Sequence, residues 1–364
     1  MDASDGPPVL WRLRTDLVAM ARRDRVLYTI ALATLAGGFA MQPITGRHPD
    51  WALFVKVFGK LWLVGGTIVL VLLGLKLVWL GAVARSRRPT RDLVLWIAAY
   101  LGRKSLLANT LHTLAIFVAF ATGFAVLKGS IGLVSPFAWD MALAEVDRAL
   151  HFGRLPHVWL APLLEQPALV ATINVLYHVW FFVQIGSIVA ACCAVRAPAL
   201  RHQYLMAYML VWVIGGFVIA SLVSSAGPVY FERLGFGAAY APLMERLNQI
   251  DAQHFALWAL EVQETLWSGF TGERPGTGGI SAFPSMHVAT ATLFVLAARR
   301  LGRALFVASV AFWVATMVGS VLLGWHYAVD GYAAALLALI AWRAAGAYGR
   351  RAARAGVPPA RAGA

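Results

Sequence analysis

Eight long apolar runs are the feature that most restricts how this chain can fold. A helix needs about 20 predominantly apolar residues to cross the hydrocarbon core of a bilayer, and each run meets or approaches that length. The predicted spans are Val26–Pro43, Phe54–Ala82, Leu106–Leu127, Ala168–Ala194, Leu205–Ser225, Pro284–Ala298, Ala304–Leu323 and Tyr327–Ala347. The sixth run is the shortest. The sequence therefore predicts an all-α polytopic membrane helix bundle of about eight transmembrane helices.

Composition supports this fold class and excludes others. Hydrophobic residues make up 60% of the 364 residues and charged residues 13%, whereas a soluble domain carries about 25% charged residues. An ordinary soluble enzyme and a disordered chain are thereby excluded. The two cysteines, Cys192 and Cys193, are adjacent, so they provide no disulfide framework and no cysteine zinc site.

The distribution of basic residues predicts the topology. With the N-terminus inside, the inner segments hold 21 of the 31 Lys and Arg residues and the outer loops hold 7. Cytoplasmic loops of membrane proteins are enriched in basic residues, so both termini are predicted to be cytoplasmic. The net charge of +14 follows from this bias, and no nucleic-acid partner is predicted because the basic residues share only the membrane face.

The predicted domain organisation has three parts. Residues 1–105 are a cytoplasmic N-terminal segment plus two accessory transmembrane helices, residues 106–347 are a six-helix catalytic core with two long outer loops, and residues 348–364 are a basic cytoplasmic tail. The N-terminal 25 residues lack the apolar region and cleavage site of a signal peptide. Within the outer loops, Phe137–Phe152 and about Tyr240–Trp267 have apolar residues at helical intervals, which predicts two amphipathic helices at the outer surface.

The segment that precedes the sixth span has the features of an anion site. Two glycines provide a flexible approach, and Pro284 suits the first position of a helix, so Ser285 and His287 are expected in the first turn. The unpaired backbone N–H groups and the dipole of a helix N-terminus favour an anion such as phosphate. For this motif alone, the alternative is a helix-start histidine without a chemical role.

A second histidine motif lies at the start of the eighth span. His326 and Asp330 are four residues apart, so they are expected on one face of a helix. A carboxylate in that position accepts a hydrogen bond from one imidazole nitrogen and leaves the other nitrogen free for nucleophilic attack. A structural His–Asp pair at a helix start is the alternative for this motif alone.

The predicted topology brings the two motifs together. A helical hairpin returns the chain to the same membrane face, so His287 and His326 meet there, and Lys128 at the end of the third span lies at that face as well. Two imidazoles, one carboxylate and a cation beside a helix N-terminus are suited to phosphoryl transfer. These roles leave too few ligands for a metal site, so neither a metal nor another cofactor is predicted.

Both motifs resemble signatures of a known family. Ile280–His287 and Gly324–Asp330 resemble the second and third signatures of the type-2 phosphatidic acid phosphatase superfamily, and are most similar to its inositol-phosphorylceramide-synthase-like (inositolphosphotransferase) branch. The resemblance covers roughly Lys128–Trp342. It implies a phosphatase-type six-helix core in which His326 is the nucleophile that forms a phosphohistidine, Asp330 orients it and His287 protonates the leaving group.

Two departures from the family pattern concern the substrate. The first signature, Lys-x6-Arg-Pro, is here Lys128-x6-Ser135-Pro136, and the arginine before the third-signature histidine is replaced by Ser320. Two guanidinium groups that would bind a dianionic phosphate monoester are therefore missing. Their loss favours a phosphodiester substrate, which carries one negative charge. Arg274 is the candidate replacement cation, and a solvated loop arginine is the alternative.

Other polar residues are weaker candidates. Asn174, Tyr177 and His178 share the outer half of the fourth span; they are either further hydrogen-bond partners of the site or interhelical polar contacts. Asp140 and Asp147 are either contacts for a polar headgroup or the solvated face of a surface helix.

The resemblance and the residues together predict an integral-membrane lipid phosphotransferase. It would move a phosphate-containing headgroup, inositol-phosphate-like, from a phospholipid to a lipid or alcohol acceptor on the outer membrane face. Membrane lipids are thus the expected substrate and acceptor, and the excess of arginine over lysine favours a bacterial plasma (inner) membrane. One alternative is a lipid phosphatase acting on phosphatidate-like monoesters or polyprenyl diphosphates. Another is a proton-coupled transporter or flippase, whose site is expected nearer the bilayer midplane. The sequence specifies neither donor, acceptor nor oligomeric state.

Overall fold

The computed structural model describes residues 18–45, 51–102, 104–194, 197–273 and 279–354, which form helices and no β-strand. The all-α prediction is therefore confirmed. The helices are α1 (Arg25–Ile44), α2 (Trp51–Ala82), α3 (Pro89–Leu101), α4 (Lys104–Val134), α5 (Asp140–Leu150), α6 (Pro156–Trp159), α7 (Ala161–Leu164), α8 (Pro167–Cys193), α9 (Pro198–Leu222, π-helical over Val211–Ile219), α10 (Ala241–Gln253), α11 (Trp258–Thr271), α12 (Met286–Ala298), α13 (Arg303–Leu322) and α14 (Ala328–Arg354).

Within these ranges, seven helices are long and apolar enough to cross a membrane, as predicted for a polytopic bundle. They are α1, α2, α4, α8, α9, α13 and α14. The remaining predicted span, the sixth, is α12, which has only 13 residues and is therefore about 20 Å long, shorter than the ~30 Å hydrocarbon core. Nine of its 13 residues are buried, so protein rather than lipid surrounds this helix. Its short length is compatible with that position in the centre of the bundle.

The first two helices differ in how they join the bundle. Helix α1 packs closely on α4, because a Cβ atom at Gly38 would lie 2.7 Å from the carbonyl oxygen of Gly123. The start of α1 is further fixed by buried Asp24, which forms ion pairs with Arg23 and Arg201. In contrast, none of the residues in the spanning window of α2 is buried. Of these two helices, α1 is thus part of the packed core and α2 lies at its periphery.

The two segments predicted as amphipathic helices differ from their predicted form. Helix α5 begins at Asp140, three residues later than predicted. Its buried face is not the predicted apolar one, because it contains the carboxylates of Asp140 and Asp147 beside Leu143, whereas Met141 and Val146 are exposed. The second predicted helix is two helices, α10 and α11. The break follows from Asp251, whose Oδ1 accepts the backbone N–H of Leu257 at 2.7 Å and so favours a turn. Helix α14 continues to Arg354, seven residues past the predicted end of the span.

Candidate active site

His326 lies in the loop between α13 and α14, with its imidazole against a buried carboxylate. Its Nδ1 atom is 3.3 Å from Oδ2 of Asp330, and the two residues are 7% and 0% exposed. The same Oδ2 accepts the backbone N–H of Tyr327 at 3.1 Å. Because Nδ1 faces the carboxylate, Nε2 is the ring nitrogen directed away from Asp330.

The predicted shared helix face is wrong in detail, although the two side chains do meet. Helix α14 begins at Ala328, so His326 precedes the helix while Asp330 lies in its first turn. The loop is folded back by bonds from the backbone N–H groups of Trp325 and His326 to the carbonyl oxygen of Ser320, each 3.0 Å. Burial lowers the pKa of the loop residue His326 to about 3. The imidazole is therefore neutral near pH 7, with one ring nitrogen unprotonated.

His287 lies at the start of α12 and faces His326. Their ring centroids are 6.3 Å apart, and the backbone N–H of Ser285 donates to the carbonyl oxygen of Asp330 at 3.1 Å, which joins the two motifs directly. The helix start is two residues later than predicted. Ser285 is the N-cap, with its hydroxyl accepting the N–H of Val288, and Pro284 lies before the helix. The cause is the hydroxyl of Ser285, which satisfies a free N–H group at the helix start.

Lys128 approaches the site from α4. This helix continues to Val134, so Lys128 does not end the span as predicted. Its Nζ donates to the carbonyl oxygen of Ser281 at 3.4 Å, beside the segment that leads into α12, and its charge reaches both His287 and His326. Arg274, the candidate replacement cation, lies outside the described residues.

Serines fill both positions of the missing arginines. Ser320 is buried in α13 and its hydroxyl donates to the carbonyl oxygen of Met317 at 2.8 Å. Ser135 follows α4, and its carbonyl oxygen accepts the hydroxyl of Ser224 at 3.2 Å. Neither position presents a cation to the histidines.

Asp147 caps the helix that carries Asp330. Its two carboxylate oxygens accept the backbone N–H groups of Ala328 at 2.8 Å and of Val329 at 2.9 Å, and its side chain is 1% exposed. Burial raises the pKa of this carboxyl, and the two backbone hydrogen bonds oppose the rise. The predicted solvated face and the predicted headgroup contact are both wrong for Asp147, because the carboxylate is used to satisfy the start of α14.

Asp140 joins the residue after His326 to the loop at Ala226 and Gly227. Its carboxylate accepts the N–H groups of Ala226 and Gly227, at 3.0 Å and 2.8 Å, and the hydroxyl of Tyr327 at 2.8 Å. The residue is 0% exposed, so the solvated and headgroup interpretations fail here too. Burial raises the pKa of Asp140 against these hydrogen bonds.

The three candidates on α8 have different roles. Tyr177 stacks on the imidazole of His287 with ring centroids 4.3 Å apart. Asn174 bonds to the backbone N–H of Ala259 at 3.1 Å and therefore joins α8 to the start of α11. His178 bonds within its own helix, to the carbonyl oxygen of Asn174. Sequence analysis missed Trp180, whose ring centroid lies 3.9 Å from that of His287.

The fold and site define a class of membrane protein: a helical bundle with two histidines and a carboxylate gathered at adjoining helix ends. The family follows from comparison with known families. The model of the PAP2 superfamily matches residues 141–344, more than half of the chain, and the chain belongs to this superfamily. Comparison with curated proteins and with solved structures gave no match.

The matched range contains His287, His326 and Asp330, whereas Lys128 and Asp140 precede it. Membership supports a lipid enzyme of the phosphatase or phosphotransferase type. The match does not distinguish the inositolphosphotransferase branch from the other branches of the superfamily.

Proposed function

We propose that this protein is a lipid phosphotransferase that carries a phosphate-containing headgroup from a phospholipid to a lipid or alcohol acceptor. The observation that carries the proposal is the contact of His326 Nδ1 with the buried carboxylate of Asp330, 3.3 Å away, with the imidazole of His287 facing it at 6.3 Å. A phosphorus atom between the two rings would lie within reach of both, which is the arrangement that displacement at phosphorus requires.

In the first half-reaction, the Nε2 lone pair of His326 attacks phosphorus. The bond between phosphorus and the oxygen of the lipid alcohol breaks, and protonated His287 gives its proton to that oxygen, so a neutral alcohol leaves. His326 then carries the headgroup phosphate on Nε2, and the positive charge of its ring is balanced by Asp330.

In the second half-reaction, the acceptor hydroxyl attacks the same phosphorus. Neutral His287 takes the hydroxyl proton, the bond from phosphorus to Nε2 of His326 breaks, and both histidines return to their first state. Burial of His326 and Asp330 supports an acceptor other than bulk water. The serines at the two arginine positions support a substrate with one negative charge, for which Lys128 is the nearby cation.

We place the reaction on the outer membrane face. His287 opens α12 and His326 follows α13, while the opposite ends of these two helices carry Arg299, Arg300 and Arg303. Because cytoplasmic ends of spans are enriched in basic residues, the arginine end of the hairpin is assigned to the cytoplasm. The histidines then lie on the other side.

The decisive experiment compares transfer with hydrolysis in detergent. Purified protein is incubated with phosphatidate alone, and separately with phosphatidylinositol plus ceramide or diacylglycerol. We expect headgroup transfer in the second mixture and little inorganic phosphate in the first. Rapid release of phosphate from phosphatidate would overturn transfer in favour of a lipid phosphatase. Turnover in detergent, where no gradient exists, would also exclude proton-coupled transport as the source of the signal.

A second measurement tests the covalent intermediate. With headgroup-labelled phosphatidylinositol and no acceptor, the protein should retain acid-labile label, as expected for a bond between phosphorus and nitrogen. His326→Asn should abolish the label, and His254→Asn, at an exposed site between α10 and α11, should retain it. Label that survives in His326→Asn would refute His326 as the nucleophile.

A further inference from the structure

The imidazole of His287 lies between two aromatic rings that come from one helix. Tyr177 stacks on it with a centroid distance of 4.3 Å and an interplanar angle of 15°. Trp180 lies at 3.9 Å and 31°. These two residues are three positions apart on α8 and so project from the same side of the helix. Both are nearly inaccessible to solvent, at 3% and 2% exposure. We call Tyr177 and Trp180 the aromatic clamp.

The clamp is itself held in place by hydrogen bonds. The indole N–H of Trp180 donates to the hydroxyl of Thr290 at 2.7 Å and to the carbonyl oxygen of His287 at 3.2 Å. Trp180 therefore contacts both the ring and the backbone of His287. Phe181, the third aromatic neighbour on α8, only meets the imidazole edge-on at 5.9 Å and is 52% exposed.

Two stacked rings have a chemical consequence for an imidazole. They restrict its rotation, and the faces of aromatic rings attract a cation. Without this attraction, protonation of His287 would be disfavoured, because burial removes water from the charged form. The titratable and charged groups that act on His287 are Lys128 of α4, His178 of α8 and His326, and Asp330 lies behind His326 on α14. The clamp thus stabilises the protonated form of His287, whereas the positive charge of Lys128 destabilises that form.

We propose that Tyr177 and Trp180 are positioning residues that hold His287 in the orientation and protonation state needed to protonate the leaving alcohol. This inference rests on the proposed function. The proton passes from His287 to the lipid oxygen as the bond between phosphorus and that oxygen breaks, and the rings of the clamp do not react. A structural role alone would affect all substrates equally, whereas this role depends on the leaving group.

The experiment therefore compares two donors with the same phosphate-containing headgroup. One has a lipid alkoxide as leaving group, which needs a proton, and the other has p-nitrophenolate, which leaves without one. For each variant, the ratio of the alkoxide rate to the p-nitrophenolate rate is measured. We expect His287→Gln to lower this ratio by about 10²- to 10⁴-fold, and Trp180→Leu and Tyr177→Leu to lower it by at least about 10-fold.

Conservative variants separate the clamp from general packing. Tyr177→Phe keeps the stacked ring, and we expect it to preserve the ratio; Phe181→Leu alters an exposed edge contact and should leave both rates unchanged. Retained p-nitrophenolate turnover in Trp180→Leu shows that the variant is folded. If that variant does not fold, Tyr177→Leu provides the same test.

The outcomes distinguish this inference from the proposed function. If His287→Gln lowers the ratio but neither Trp180→Leu nor Tyr177→Leu does, the positioning role of the clamp is refuted. The role of His287 as the acid is then retained. If His287→Gln lowers both rates equally, the acid role itself is wrong. If His326→Asn retains p-nitrophenolate turnover, the phosphohistidine mechanism fails.

Discussion

The hydroxyl of Tyr327 donates a 2.8 Å hydrogen bond to the carboxylate of Asp140, 187 positions away in the sequence. This bond ties the residue after His326 to helix α5. Asp147, seven residues further along α5, caps the start of α14 and so fixes the turn that contains Asp330. One short helix therefore fixes the positions of both His326, the proposed nucleophile, and Asp330, the carboxylate proposed to orient it.

Replacing Asp147 by alanine should weaken both folding and catalysis. The change leaves two buried N–H groups of α14 without acceptors, and loss of such a cap costs about 1–3 kcal/mol. We expect a lower midpoint of thermal unfolding in detergent and a lower kcat with little change in KM, because Asp330 loses its support. Glu145→Ala on the same helix is the control: Glu145 is exposed and pairs loosely with Arg148 at 3.7 Å. Equal effects of the two variants would contradict the capping role.

Asp330→Asn should impair the chemical step more than the fold. An amide in this position still accepts from the N–H of Tyr327, but it does not balance the charge of a phosphorylated His326. We expect kcat to fall by about 10²- to 10⁴-fold, and the labelled intermediate to form correspondingly slowly. Asp251→Asn, which retains an oxygen for the turn between α10 and α11, should leave kcat near that of the parent. An intermediate formed at the parent rate in Asp330→Asn would exclude the orienting role.

Gly227→Ala should disturb the loop between α13 and α14, which carries His326, through a direct steric contact. Gly227 has a φ of +100°, and a Cβ atom there would lie 2.6 Å from the carbonyl oxygen of Trp325, next to His326. Gly235 has a φ of +78° with nothing within 4 Å of such a Cβ. Gly235→Ala should therefore cost only the conformational penalty of about 1 kcal/mol, while Gly227→Ala costs more and lowers turnover. Unfolding midpoints and kcat of the pair test this; similar values for both would show that the loop adapts.

The features that the sequence predicted are those encoded locally. The apolar length of a span is a property of consecutive residues, so seven helices of spanning length agree with the predicted runs. The meeting of His287 with His326 followed from the hairpin formed by two neighbouring helices. The start of α12 was misplaced because proline and serine are both suited to a helix start, and only the bond from the N–H of Val288 to the hydroxyl of Ser285 decides between them.

The features that the sequence did not predict depend on distant partners. Asp140 and Asp147 bind backbone N–H groups, which every residue except proline has and which therefore leave no signal in the sequence. Trp180 lies in an apolar span, where a tryptophan is ordinarily interpreted as a packing residue or an interfacial anchor. Its contact with His287, 107 positions away, becomes visible only when α8 is placed against α12.

Stability should fall in mild acid because of one buried histidine in the short helix α6. His157 of α6 is 6% exposed, packs its ring against Tyr240 at 5.0 Å, and burial lowers its pKa to about 4. In the unfolded chain, a histidine titrates near pH 6.5. As the pH falls from 6.5 towards 4, the unfolded state takes up a proton that the folded state does not, so the contribution of His157 to stability is complete above pH 6.5 and decreases through this window.

The variant His157→Phe keeps an aromatic ring against Tyr240 and removes the titration. Thermal unfolding in detergent at intervals from pH 4 to pH 8 should show that the stability of the variant relative to the parent rises as the pH falls below 6.5. All other titrating groups are common to both proteins and cancel in this difference. If the stability difference between His157→Phe and the parent instead stays constant with pH, His157 is protonated as easily in the folded protein as in the unfolded chain. That result would contradict this prediction.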